Sequence, residues 1–184
     1  ILCLGYKGWI IKEFFLNYYA KISDISFTLG EKDSIVYHNK NDEADWKVTL
    51  IDTGEESQTA ARIWKVNNYL KDEGIFSVTY GDGVANIDIL ALVKKHESNG
   101  ALATITGVQP LGRFGEIELD VDLICEFNEK PNVGIGLING GFMFFDKSVI
   151  KKYFRPGDDL ILESEVLSKI VKDKVKLPQG YFLE

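Results

Sequence analysis

Apolar and polar positions along this chain change period several times, and each change marks an element. Ile1-Leu2-Cys3-Leu4 is a short apolar run, read as a strand that enters the turn Gly5-Tyr6-Lys7-Gly8. Ile11, Phe14, Phe15 and Tyr18 then recur at helical spacing and predict an amphipathic helix. Period two appears in Ile25-Ser26-Phe27-Thr28 and Ser34-Ile35-Val36-Tyr37, a predicted hairpin bent at Gly30-Glu31-Lys32-Asp33. A polar loop over Asn39–Asp45 precedes a strand over Trp46–Asp52. Thr53–Gln58 leads into a helix whose apolar face carries Ile63, Val66 and Leu70, and Asp72-Glu73-Gly74 ends it.

The sharpest unit follows. Ile75–Tyr80 is an apolar, β-branched and aromatic run, read as a buried strand of a parallel sheet. It ends in Gly81-Asp82-Gly83, where two glycines allow a tight turn and close approach to a ligand. A helix is predicted at once, with Ile89, Leu92, Val93 and His96 on one face, a cap at Asn86 or Asp88, and a stop at Asn99-Gly100. Ala101–Thr106 is the next strand. Beyond the loop Gln109–Gly115, Glu116–Asp122 alternates as a half-buried strand and Leu123–Phe127 runs into Asn128-Glu129-Lys130-Pro131. Gly134–Phe145 is glycine-rich and then apolar, and a last helix places Leu162, Val166 and Ile170 at i, i+4 and i+8. Strands alternating with helices predict an α/β fold: a Rossmann-like, mostly parallel sheet with a β-hairpin excursion, as a single domain over residues 1–184.

Composition narrows the function classes. With 184 residues, 45% of them hydrophobic and 12% aromatic, the chain can bury a sizeable core. A net charge of −7 disfavours a nucleic acid partner, though small phosphorylated ligands need only a few local cations. No apolar run is long enough to span a bilayer, so no membrane partner is expected. Cys3 and Cys125 lie in apolar runs and read as buried thiols of a cytoplasmic protein. His38 and His96 read as solvated and outside any metal cluster.

Asp82 stands at the carboxyl end of a predicted strand, where open α/β sheets bind ligands. Ionised at neutral pH, it suits holding a divalent cation against a phosphate. A turn aspartate without a ligand fits the same tripeptide.

With that unit placed, six segments in order carry a resemblance. They are Gly5-Tyr6-Lys7-Gly8, Trp46 through Gly54, Tyr80-Gly81-Asp82-Gly83-Val84-Ala85, Gly112-Arg113-Phe114-Gly115, Phe127-Asn128-Glu129-Lys130-Pro131 and Ile138-Asn139-Gly140-Gly141-Phe142. Over essentially its whole length the chain resembles the nucleotide-sugar pyrophosphorylases, a nucleotidyltransferase family of nucleotide-diphospho-sugar transferase fold. The segment Val48–Gly54 and the hairpin before it point to the cytidylyl branch.

The resemblance implies Mg²⁺-dependent transfer of a cytidylyl group from CTP to glucose 1-phosphate, giving CDP-glucose and pyrophosphate. Asp82 would bind Mg²⁺, with Gly81 letting the backbone approach the nucleotide. Lys130 would meet the sugar phosphate as a point charge, and with Asp82 it would carry the catalysis. Glu129, Asn139 and the Gly115 backbone would contact the sugar, and Thr59 and Arg62 the nucleotide. Taken singly, Glu129-Lys130-Pro131 also reads as a charged strand end, Gly140-Gly141 as a turn, and Arg62 as a solvated helix cation.

The family pattern at the base contact is Thr-Gly-Gly-Arg, whereas this chain has Thr59-Ala60-Ala61-Arg62 and so adds two methyl groups there. The resemblance also implies a glycine-rich triphosphate loop before Ile1 and a second metal-binding aspartate after Glu184. The chain is therefore expected to be incomplete at both ends, and the full-length form to be a homo-oligomer. A non-catalytic sugar-phosphate or nucleotide-binding protein of the same fold is the alternative. A metal-dependent glycosyltransferase is disfavoured, because Asp82-Gly83-Val84 lacks the second aspartate of an Asp-x-Asp site.

Overall fold

The computed structural model describes residues 1–31, 33–38, 42–43, 45–70, 74–108 and 137–173, and the backbone of 116–120 and 123–128. The chain divides into two compact units, Ile1–Lys71 with Phe154–Val166, and Asp72–Tyr153 with Leu167–Glu184.

In the first unit, strand β1 (Leu2–Leu4) is followed by helices α1 (Gly8–Leu16) and α2 (Tyr18–Ile22). Strands β2 (Ile25–Ser26) and β3 (Val36–Tyr37) form the expected antiparallel hairpin, with Ile25 opposite Tyr37. Strand β4 (Leu50–Asp52) lies parallel to β1, with Leu2 opposite Leu50 and Leu4 opposite Asp52. Helix α3 (Thr59–Val66) buries Ala60, Ala61, Ile63 and Val66. The returning segment Phe154–Val166 is tied to α3 by the Leu160 carbonyl, which accepts the N–H of both Ala60 and Ala61 at 3.1 Å. Leu160, Leu162 and Val166 complete this core.

Two expectations fail in this unit. The apolar face of α1 is not covered: Ile11 and Phe14 remain exposed, and Gly8 is the buried residue of that helix among those described. Instead Phe14, Phe15, Tyr18, Tyr19 and Tyr37 pack on one another as a run of edge-on and stacked rings. Helical spacing fixes which side would be buried, but supplies no partner to bury it. Cys3 is a free, exposed cysteine, not a buried one, because β1 pairs with β4 alone among the described strands. The Cys125 side chain lies outside the described residues.

In the second unit, strand β5 (Ile75–Thr79) leads to helix α4 (Ile89–Asn99), strand β6 (Ala103–Val108), the antiparallel pair β7 (Glu116–Asp120) and β8 (Leu123–Asn128), strand β9 (Ile138–Asp146), and helices α5 (Ser148–Tyr153) and α6 (Ser168–Lys172). Asp88 caps α4 by accepting the Ala91 N–H at 2.9 Å, and Gly100 closes it in the left-handed region. A π-helical turn over Leu162–Leu167 precedes α6; at the predicted spacing, Leu162 and Val166 are fully buried in the first unit and Ile170 in the second.

The α/β class stands, but β5 is not paired in parallel. The sheet order is β5-β9-β6, and β9 runs antiparallel to both neighbours. β5 and β6 therefore run in the same direction on either side of it, and among the described residues β1–β4 is the one directly parallel pair. An apolar run reveals burial but not the direction of its partner. Phe76 of β5 stacks on Phe145 of β9, with ring centroids 5.4 Å apart. His96 is buried between α4 and this sheet, not solvated, and its Nδ1 lies 2.8 Å from the Thr104 hydroxyl. Its place at i+7 of the apolar face explains the burial better than its polarity does.

Candidate active site

The second unit gathers several of the expected site residues at the carboxyl ends of β5 and β6. Thr79 is opposite Phe142, so the Gly81–Asp82 turn after β5 and the Asn139–Gly141 stretch of β9 stand at the same end of the sheet. Gly107 and Val108 of β6 pair there with Asn139 and Ile138, across a bulge. The bulge leaves no room at Gly140, where a Cβ would stand 2.9 Å from Val108 Cγ1 and 3.1 Å from the Thr106 carbonyl. Gly141 has φ +82°, and a Cβ there would meet Tyr80 Cδ2 at 2.9 Å, so the tyrosine ring lies directly on the glycine. Asn139 Oδ1 accepts the Gly141 N–H at 2.9 Å, and its Nδ2 donates to the Tyr80 hydroxyl at 3.4 Å.

Asp82 is exposed in the turn, and among the described residues no side chain is hydrogen-bonded or ion-paired to it. Six residues separate it from α4, which starts at Ile89 rather than directly after the glycines. An exposed carboxylate on a glycine-flanked turn has the chemistry of a ligand for a hard, oxygen-seeking cation. No group of three or more His, Cys, Asp or Glu side chains suited to a metal occurs among the described residues. Gly115, Glu129 and Lys130 lie outside the described residues.

Thr59 and Arg62 belong to the first unit, and their polar atoms are already engaged there. Thr59 Oγ1 accepts the Leu162 N–H at 2.9 Å and donates to Glu163 Oε2 at 3.2 Å. Arg62 Nη1 donates to the Thr53 hydroxyl at 2.7 Å and to the Leu4 carbonyl at 3.2 Å, while Nη2 reaches the Glu55 carbonyl at 3.1 Å. Ala60 and Ala61 are fully buried, so their methyl groups fill the core of the unit.

One further cluster was not read from the sequence. Lys65 Nζ donates to the Thr53 carbonyl at 2.7 Å and to Ser57 Oγ at 2.8 Å, and it pairs with Asp158. Hydrogen bonds from Lys65, and next from Ser57, hold the Asp158 carboxyl below the usual carboxylate range. The available signal was Lys65 three residues after Arg62, which sets two cations on neighbouring positions of one helix. Nothing in the sequence joined them to Asp158, which lies far along the chain.

A family model described as nucleotidyl transferase matches residues 5–179. The chain is 43% identical over 150 residues to a glucose-1-phosphate cytidylyltransferase of Salmonella typhi, covering 82% of this chain and 58% of the relative. It is 38% identical over 173 residues to a probable glucose-1-phosphate cytidylyltransferase of Bacillus subtilis, covering 94% of this chain and 66% of the relative. The chain thus spans less than two thirds of the length of these relatives. Among solved structures, HddC from Yersinia pseudotuberculosis superposes with a TM-score of 0.61 at 23% identity, over 98% of this chain and 68% of that one. Its complex with GMP-PN gives 0.57 at 24% identity, over 91% and 64%. These structures share the fold.

Proposed function

Because this chain belongs to the nucleotidyl transferase family, we propose that it forms the core of a glucose-1-phosphate cytidylyltransferase. In this reading a phosphate oxygen of glucose 1-phosphate attacks the α-phosphorus of CTP. The bond from that phosphorus to the bridging oxygen breaks, so CDP-glucose forms and pyrophosphate leaves. The observation that carries the reading is the Gly81–Asp82 turn beside Asn139 at the carboxyl ends of β5 and β6, in a chain 43% identical to an enzyme of that name.

The chemistry asks for positioning and charge compensation more than for covalent participation. Gly81 lets the backbone approach the nucleotide, and Asp82 holds the cation. Mg²⁺, when bound at Asp82, supplies positive charge against the phosphates. Lys130 offsets the sugar phosphate as a compact cation, while Glu129, Asn139 and the Gly115 backbone take the sugar. Thr59 and Arg62 contact the nucleotide in this reading; Arg62 also braces the loop Thr53–Gln58 through Thr53 and Glu55, while the Thr59 hydroxyl is bonded to Leu162 and Glu163. The substrates are small molecules. No helix among the described residues is long and apolar enough to cross a membrane. The uncovered apolar surface of α1 supports a homo-oligomeric intact protein.

The test is pyrophosphate release by the intact protein with glucose 1-phosphate and each of CTP, UTP, dTTP and ATP. CTP is expected to turn over fastest. Binding of glucose 1-phosphate with turnover of none of the four would instead favour a binding protein.

A further inference from the structure

Tyr80 has no part in the chemistry outlined above, yet it opens the Asp82 turn and touches the Asn139–Gly141 stretch of β9. Its ring packs on Gly141, where even a methyl group would stand 2.9 Å from Cδ2. Its hydroxyl accepts a hydrogen bond from Asn139 Nδ2 at 3.4 Å. Tyr80 also opens the turn that carries Asp82, since its carbonyl accepts the Gly83 N–H at 3.4 Å. One side chain thus joins the Asp82 turn to the Asn139 stretch.

The orientation of Asn139 follows from its two bonds. The Gly141 N–H can only donate, so the atom 2.9 Å away must be the carboxamide oxygen. The NH₂ group is then the end turned to Tyr80. One of its hydrogens goes to the phenol oxygen, and the second meets no acceptor among the described residues and is left for a ligand. Asn139 is itself exposed, so that hydrogen is accessible.

We propose that Tyr80 is a positioning residue: it holds the Asn139 carboxamide with its NH₂ outward, so that Asn139 donates to an acceptor oxygen of the bound sugar phosphate. This rests on the sugar site proposed above. It adds a direction, because the ligand group facing Asn139 is an acceptor, and a group that only donates is not recognised. Tyr80 acts through Asn139 and through the seat that Gly141 provides. Its hydroxyl, not its bulk, therefore sets the affinity.

A thermodynamic cycle on the intact protein tests this, with glucose 1-phosphate binding measured by calorimetry whether or not the protein turns over. Tyr80→Phe keeps the ring on Gly141 and removes the hydroxyl that accepts from Asn139. Asn139→Asp keeps the oxygen that Gly141 needs and replaces the donor with a charged acceptor. Each is expected to weaken binding about fivefold or more while leaving the unfolding midpoint within experimental error. In the Asn139→Asp background, Tyr80→Phe is expected to cost nothing further, because coupled residues are not additive. If turnover with CTP is present, the Tyr80→Phe loss should fall on KM rather than kcat. Independent, multiplying losses would overturn the positioning role, as would unchanged binding in Tyr80→Phe. Failure to turn over any nucleotide, with the coupled binding losses intact, would overturn the transferase reading and leave this inference standing.

Discussion

The guanidinium of Arg62 donates to the hydroxyl of Thr53 at 2.7 Å and so joins helix α3 to the end of strand β4. The Thr53 hydroxyl donates in turn to the Leu4 carbonyl at 2.8 Å, and the Thr53 N–H donates to the same carbonyl at 2.8 Å. Arg62 completes the set from above. The carboxyl ends of β1 and β4 are thereby locked around one carbonyl oxygen, and Gly5 has no Cβ because one would stand 2.8 Å from the guanidinium.

Arg62 is therefore expected to matter for stability as well as for any ligand. Arg62→Met would strip partners from Leu4, Thr53 and Glu55, and hydrogen bonds from a charged donor contribute about 1.5–3 kcal/mol. A loss of roughly 2 kcal/mol is expected in urea unfolding of the chain. An unchanged midpoint, with only nucleotide affinity reduced, would show that the guanidinium faces ligand instead.

Gly141→Ala is expected to destabilise the protein by roughly 1–3 kcal/mol, the range for a strained non-glycine backbone. Two causes act together: a positive φ, and a methyl group pressed against the Tyr80 ring. Thermal unfolding of the variant is the measurement. A midpoint equal to that of the parent would mean the ring can move away without cost.

How far the sequence anticipated these contacts depends on chain separation. The hairpin Ile25–Tyr37, the Asp88 cap and Gly100 stop of α4, and the buried trio Leu162, Val166 and Ile170 were legible because each is set by residues a few positions apart. The family was legible for a similar reason, since its motifs are short and ordered. Sheet order was not, because β9 enters between β5 and β6 from far along the chain. Nor was the state of Arg62: a helix cation reads as solvated until the loop that folds over it is known. Lys65 and Asp158 were missed on the same ground.

His96 gives the protein a pH dependence of known sign. Burial lowers its pKa, opposed by the charges of Asp146 and Glu97, so the folded chain resists the proton that the unfolded chain takes up. Stability should be level above about pH 6.5, the ordinary histidine value, and fall as pH drops from there toward the lowered folded value. His96→Gln should flatten that slope in unfolding experiments run from pH 7.5 to 5. An identical slope in the variant would assign the effect to another group.

The exposed aromatic surface of the first unit predicts self-association of this chain. Trp9 on α1 is 65% exposed and Phe27, just after β2, is 58% exposed; Ile10, Leu16 and Val36 are uncovered as well. Sedimentation should show mass rising with concentration, and Trp9→Glu should reduce the rise. A monomer at all concentrations would contradict this.

The central claim is that the turn carrying Asp82 is where the nucleotide and the sugar phosphate react. The most direct measurement is steady-state pyrophosphate release from CTP and glucose 1-phosphate by the intact protein, beside its Asp82→Asn variant. Asp82 is exposed and bonded to no described side chain, so the substitution should leave the unfolding midpoint in place. Turnover should fall on the order of a hundredfold or more, as expected when charge compensation at the transferring phosphate is removed. Turnover within twofold of the parent, in a variant that folds normally, would contradict the account.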